Sequence, residues 1–235
     1  MSTPRILSIQ VGQPRTYGVE GAASPMDRPW TTSFFKEPVA GPVRLGRTNL
    51  EGDAQADPRY HGGPDKAVMA YAAAHYPAWR AELGLEEMGF GGFGENFTVE
   101  GQDESAVCVG DVYAVGTARV QVSQPRAPCW KIARRWRVRD LSARVQRTGR
   151  TGWYLRVLEE GVVEPGVPLE LLERPNAEWS VARINQVLHG HVRDPETLRR
   201  MAAYPLLSDS TREWLLYRID AMEDESLRLV GPNEE

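Results

Sequence analysis

The stretch AVCVGDVYAVGTARVQVSQPRAPCWKIARRW, residues 106–136, decides how the chain reads. Its first two thirds hold two apolar, β-branched runs, each the length of a strand and separated by Gly110 and Gly116. Pro125 and Pro128 then stiffen the backbone around Arg126 and Cys129, and a helical pattern follows. Working outward, strand-length runs bounded by turn residues recur in RILSIQVG (5–12), TSFFKEPV (32–39), GPVRLG (41–46), ENFTVEG (95–101), GWYLRVLEEG (152–161) and PLELLER (168–174). Two helical segments interrupt them: AHYPAWRAELG (74–84), and one that starts near Cys129 and runs through IARRW and DLSARVQRTG. The class expected is mainly β (α+β), with sheets closed or sandwiched so that their edges are covered.

After Pro175 the periodicity changes. EWSVARINQVLHG, DPETLRRMAAYP and SDSTREWLLYRIDAMEDE carry apolar residues at helical spacing, with start signals at Asp194 and Ser208. Residues 1–175 are therefore expected to form the β domain and residues 176–235 a small three-helix unit ending in the polar, frayed segment VGPNEE. Cover over a pocket, a homodimer contact and a partner surface are the roles open to that unit.

The 235 residues suffice for one substantial core with an appendage. No apolar run approaches the ~20 residues of a membrane span, so no membrane association is expected. The first residues lack an apolar core followed by a cleavage site, and the two cysteines make neither a disulfide framework nor a zinc half-site; both features point to the reducing cytoplasm. A net charge of −4 argues against stable nucleic-acid binding. Locally the balance reverses, because residues 131–150 contain Lys131, Arg134, Arg135, Arg137, Arg139, Arg144, Arg147 and Arg150 against Asp140 alone.

Cys129 at a helix start, flanked by Arg126 and Lys131, has surroundings that favour thiolate, as a nucleophile or a soft-metal ligand. A buried, inert cysteine is the alternative, and the better reading of Cys108. In EGDAQADPRYHGGPDKAVMAY (51–71), Gly62 and Gly63 can aim backbone N–H groups at an anion, with Lys66 adding charge and His61 a hydrogen bond or a proton. A tight turn explains the same residues. Asn96, in GGFGENFTVEG, is either a turn residue or an amide that reads a heterocycle edge. Arg150, Gly152 and Trp153 precede a strand, and a turn with core aromatics accounts for them. The four histidines show no zinc spacing, His189 and His191 lying at a helix end where solvent exposure is expected. A hydrolytic pair of Cys129 with His61 has no local signature.

Taken in order, EGDAQADPRYHGGPDKAV, FGENFTVEG, VCVGDVYAVGTARVQVSQPRAPCWKIARR and TGRTGWYLRV resemble the MOSC domain family, proteins similar to the C-terminal domain of molybdenum cofactor sulfurases. The three helices after Pro175 resemble the extension of its YiiM-like branch. Relatives often carry a histidine shortly after DKAV, where this chain has Met69 to Tyr71. The resemblance implies a MOSC-type β-barrel-like domain with inserted helices that binds the molybdenum cofactor, a phosphorylated pterin dithiolene holding the metal (Mo-molybdopterin). It implies Cys129 as the metal ligand. Gly62, Gly63 and Lys66 then approach phosphate or pterin, Arg126 and Lys131 compensate charge, Gln124, Asn96 and His61 hydrogen-bond pterin or substrate, and Arg150 is a further candidate.

The resemblance also implies an oxidoreductase that reduces N-hydroxylated compounds, 6-N-hydroxylaminopurine among them, to amines in a detoxifying role. The chain shows no flavin fingerprint and too few cysteines for an ordinary cluster, so electrons are expected from a separate flavodoxin-like or ferredoxin-like donor docking on the arginine-rich run. A solvated helix face is the alternative for that run. Rival functions are a molybdenum cofactor carrier without turnover, a persulfide sulfur carrier using Cys129, and a cysteine hydrolase.

Overall fold

The computed structural model describes residues 3–230. Its elements in chain order are β1 (Arg5–Val11), β2 (Arg15–Tyr17), β3 (Trp30–Thr32), β4 (Glu37–Pro38), β5 (Val43–Leu45), α1 (Pro58–His61), β6 (Val68–Ala72), α2 (His75–Leu83), β7 (Phe97–Glu100), β8 (Val112–Val115) and β9 (Ala118–Pro125). There follow α3 (Lys131–Trp136), α4 (Leu141–Thr148), β10 (Trp153–Glu159), β11 (Gly161–Val163), β12 (Leu169–Glu173), α5 (Val181–Leu188), α6 (Pro195–Ala202) and α7 (Asp209–Val230). Eight strands form one sheet in the order β12-β8-β9-β10-β6-β7-β1-β4, antiparallel except where β6 runs parallel to β7. The sheet curls until its far parts meet: Leu169 N–H donates to the Pro4 carbonyl at 2.8 Å and Ile6 N–H to that of Val167 at 3.0 Å. The barrel-like, mixed α+β architecture expected from the turn-bounded strands is the one observed, and the curl covers edges that an open sheet would expose.

Strand β6, absent from the sequence reading, is central to this sheet. VMAYA carries no polar alternation because both of its faces are buried. Val68 and Ala70 enter the barrel core with Ile6, Phe97 and Val122, whereas Met69 and Tyr71 enter a second cluster with Trp79, Phe93, Ile132 and Leu141. This second cluster seats α2, α3 and α4 against the sheet. The single helix expected after Cys129 is instead two. Arg137, at φ +56°, ends α3 in the left-handed region, and its N–H bonds to the Ala133 carbonyl. TSFFKEPV likewise divides between β3 and β4, and AVCVGDVYAVG contributes strand only from Val112. In place of strand at its start, the Asp111 carboxylate accepts the Cys108 N–H at 2.8 Å and closes a turn.

The three C-terminal helices start at side-chain caps. Ser180 accepts from Arg183 N–H, Asp194 from Thr197 N–H and Ser208 from Thr211 N–H, two of these being the start signals read from sequence. Their apolar faces, including Ile184, Leu198, Met201 and Leu215, belong to the same buried cluster as the barrel core. Most of the tail VGPNEE lies outside the described residues. No helix among the described residues is long and apolar enough to cross a membrane.

Candidate functional site

At one end of β9 the chain leaves the sheet through Pro125, and the residues that follow reach a cavity in two parts. An inner recess of about 80 Å³ adjoins an outer mouth of about 770 Å³. Cys129, His61, Lys66, Lys131 and Tyr154 line both, so the half-buried thiol stands where recess and mouth meet. Cys129 lies two residues before α3, and its carbonyl accepts from Ser142 Oγ of α4 at 2.7 Å, which ties the thiol-bearing turn to the next helix.

Arg126 is 3% exposed. Its backbone N–H donates to the Gly152 carbonyl at 3.0 Å, fixing the chain before the thiol. Its guanidinium reaches the Phe93 carbonyl at 3.4 Å, while Nη1 has no partner within the protein. A buried cation with an unsatisfied N–H costs stability unless something anionic meets it. Lys66 and Lys131 each donate to one backbone carbonyl, of Tyr60 and Thr31, which leaves their charge in the cavity. Among these groups the His61 ring is pushed down to about 4, by burial first and then by Lys131, Arg126 and Lys66. At neutral pH it is an uncharged imidazole, able to donate from one nitrogen and accept at the other.

The recess is closed by residues the sequence reading gave no role. Lys36 donates to Asp53; burial lowers the lysine's pKa and the Asp53 charge opposes that shift. Asp53 also accepts Gly12 N–H at 2.7 Å and an Asn96 amide N–H at 2.9 Å. Ser33, Phe34, Met69, Phe93 and Tyr154 complete the wall. Asp53 lies in the quoted run EGDAQADPRY, but a lone aspartate carries no sequence signal until its lysine partner is known. Met69, in the Met69 to Tyr71 segment where the resemblance leads one to expect a histidine, lines the recess.

The structure commits several of the expected ligand contacts to partners within the protein. The Asn96 amide is committed to the wall, donating to the Gln10 carbonyl and to Asp53 and accepting the Met69 N–H, so it has no N–H left for a pterin. Its neighbour Glu95 ties the GGFG turn through Gly91 N–H at 2.7 Å and Phe93 N–H at 3.1 Å, which makes the motif architectural. Gly62 spends its N–H on the Pro58 carbonyl, leaving Gly63, at φ +96°, as the member of the pair without that constraint. Arg150 lies away from this cavity, paired with Glu82 at 2.7 Å and stacked 4.8 Å from the Trp79 ring. His189 is half-buried and its Nε2 has no partner in the protein, contrary to the expected exposure. Gln124 borders the mouth, its Oε1 accepting from Ser210 Oγ of α7 at 3.2 Å.

A model of the MOSC domain matches residues 57–170, and one of the YiiM-like three-helix domain matches residues 179–220. YflK of Bacillus subtilis is 42% identical over 217 residues, spanning 92% of this chain and 95% of that protein. The chain belongs to the MOSC family, in its YiiM-like branch. YiiM of Escherichia coli is 35% identical over 203 residues, 85% of this chain and 91% of that protein. The crystal structure of YiiM from Geobacillus stearothermophilus superposes with a TM-score of 0.76 at 39% identity, covering 92% of this chain and 99% of that one. A Gibberella moniliformis protein named Reductase is 38% identical over 161 residues, and this chain spans 28% of its length. MOSC domains are associated with the molybdenum cofactor. The cavity suits such a group on its own terms: Cys129 offers a soft sulfur donor, Arg126 Nη1 lacks a partner, and Lys66 and Lys131 add positive charge.

Proposed function

We propose that the chain is a molybdenum-cofactor-dependent reductase that converts N-hydroxylated compounds to amines in the reducing cytosol, with base analogues such as 6-N-hydroxylaminopurine among its substrates. The observation that carries this reading is the partnerless Arg126 Nη1, buried in the same recess that Cys129 enters. Cys129 would hold the metal, with Arg126, Lys66 and Lys131 offsetting the anionic cofactor. When bound, that cofactor supplies two-electron exchange with an N–OH oxygen, so that R–NH–OH with two electrons and two protons gives R–NH2 and water. Burial is the larger part of what holds His61 neutral, and an anion in the recess would offset the part due to Lys131, Arg126 and Lys66, raising its pKa toward the range in which it can pass a proton.

The electrons come from a separate protein of flavodoxin or ferredoxin type. Two arginines of the run are paired with carboxylates, Arg137 with Asp27 at 2.6 Å and Arg144 with Asp140 at 2.9 Å, while Arg134 donates to the Arg28 carbonyl at 3.1 Å and keeps its charge. The docking face is thus narrower than the sequence suggests. Molybdenum per chain tests the reading, measured for wild type and Cys129→Ala purified from a host that makes the cofactor, followed by assay of the loaded protein with an N-hydroxylated substrate. Near-stoichiometric metal, lost in the variant, together with amine formation supports it. A folded wild type without molybdenum, or a loaded one that leaves N–OH compounds unreduced, overturns it.

A further inference from the structure

A second cavity, of about 490 Å³, lies between α5, the C-terminal end of α4 and the loop at residues 103–105. It shares no lining residue with the cavity of Cys129. Two buried polar atoms of its lining residues lack a partner: Asn185 Oδ1 and, one helical turn on, His189 Nε2. Asn185 is 3% exposed, and its amide N–H groups go to Thr151 Oγ1 at 2.8 Å and the Gly149 carbonyl at 3.4 Å. A flipped amide would set its oxygen against the Gly149 carbonyl, so the orphan is the acceptor end. Buried polar groups left this way cost stability unless something outside the chain completes them.

The charge around these atoms has one sign once internal pairs are set aside. Glu104 accepts Gly152 N–H and pairs with His75, each at 2.7 Å, Asp103 accepts the N–H and O–H of Ser105, and Arg150 is held by Glu82. Arg147, on the cavity wall, makes no hydrogen bond or ion pair among the described residues. Arg218 donates only to the Val187 and Leu188 carbonyls and keeps its charge, which reaches the His189 ring: burial first, then His191 and Arg218, lower the pKa of that imidazole. Donors are thus in excess, with one acceptor among them. A metal ion does not answer to this set, since no group of three His, Cys, Asp or Glu among the described residues could hold one.

We infer that this second cavity binds inorganic hydrogen phosphate, whose bare oxygens accept from Arg147 and His189 Nε2 while its one O–H donates to Asn185 Oδ1. Sulfate and the dianion of a phosphate monoester match the charge but have no hydroxyl, so either would set an oxygen lone pair against Asn185 Oδ1. The site stands whether or not the chain is a reductase. It is linked to the Cys129 side all the same: Asn185 holds Thr151, whose hydroxyl donates at 3.0 Å to the Gly152 carbonyl that also receives Arg126 N–H.

The test titrates the full chain, purified from a host that makes the cofactor, with inorganic phosphate, sulfate and methyl phosphate at about pH 8, where the monoester is a dianion. Calorimetry gives the affinities, and NMR of the histidine rings locates the anion. Phosphate should shift the His189 ring signals, and its affinity should fall about tenfold in Arg147→Gln and in His189→Gln but hold in Lys66→Ala, which alters only the Cys129 cavity. Sulfate and methyl phosphate should bind about tenfold more weakly than phosphate, a comparison that probes Asn185 Oδ1 without disturbing its bond to Thr151. Sulfate binding as tightly as phosphate overturns the assignment and leaves an unselective cationic surface. Ring shifts confined to His61, with affinity lost in Lys66→Ala and unchanged in Arg147→Gln, overturn it by placing the anion beside Cys129. Neither heat nor ring shift at about 10 mM phosphate leaves the cavity to water and overturns it as well.

Discussion

Arg126 joins stability to function in one side chain. Its buried Nη1 meets no acceptor in the protein, so the chain by itself carries a desolvated charge that, on the proposed reading, an anionic cofactor would compensate. Arg126→Met keeps much of the volume and removes the charge. Metal-free Arg126→Met should be within about 1 kcal/mol of wild type or more stable by denaturant unfolding, while molybdenum content falls severalfold. His61 gives the complementary pH signature in metal-free protein. Its folded pKa of about 4 lies below the unfolded value near 6.5, so the unfolded chain binds the extra proton between these limits. Its contribution to stability is thus complete above about pH 6.5 and lost as pH falls toward 4. His61→Gln should flatten that part of the stability curve, and an NMR titration of the His61 ring still in progress near pH 6.5 would contradict the assignment. Arg126 and Lys131 stand out in the sequence because charge and thiol lie close along the chain there, and Lys66 because it follows the Gly62–Gly63 pair. Asp53 with Lys36 is not, since 17 positions separate the partners and neither carries a motif.

Elements were legible where turn residues bound a strand-length run or a side-chain cap marks a helix start. β1, β7 and β9 have turn-bounded apolar runs, and α6 and α7 have side-chain caps whose acceptors stand at the expected offset. β6 escaped because both faces are buried, which removes the alternation that marks a strand. The break between α3 and α4 escaped because Arg137 adopts φ +56° without a glycine to announce it. The turn before β10 has the opposite character. Gly152 sits at φ +75°, and a Cβ there would lie 2.4 Å from the Ala70 carbonyl oxygen of the neighbouring strand. Its own carbonyl receives Arg126 N–H, and its N–H donates to Glu104 at 2.7 Å. Gly152→Ala combines left-handed strain with overpacking against backbone and should destabilise the protein by about 2–4 kcal/mol. Because the same turn anchors Arg126, molybdenum content should fall at temperatures where the variant is still folded, whereas a purely global effect would lower only the unfolding midpoint.

At the scale of the molecule, the helical unit and the barrel share apolar packing and main-chain bonds. Val181 N–H donates to the Val107 carbonyl at 2.8 Å, Val109 N–H to Trp179 at 2.9 Å and Ser208 N–H to Ser123 at 3.1 Å, while Ile184, Val187, Leu198 and Leu215 join the barrel's buried cluster. Amphipathic stripes in the sequence show that each helix has an apolar face, but not which surface receives it, so a separable appendage and a docked layer read alike before the fold is known. Two further links reach toward the site: Ser210 orients Gln124, and Asn185 donates at 2.8 Å to Thr151 beside the Gly152 turn. Such an arrangement unfolds as a unit. Calorimetry of the full chain should show one transition with equal calorimetric and van't Hoff enthalpies. Truncation after Pro175 would expose the barrel face that receives α5 to α7 and leave Val107 and Ser123 backbone groups without partners, so the truncated chain should aggregate or lose cooperative unfolding. Two resolved transitions in the full chain, with a truncated barrel that melts cooperatively and retains molybdenum, would make the helices an independent domain and remove them from the support of the site.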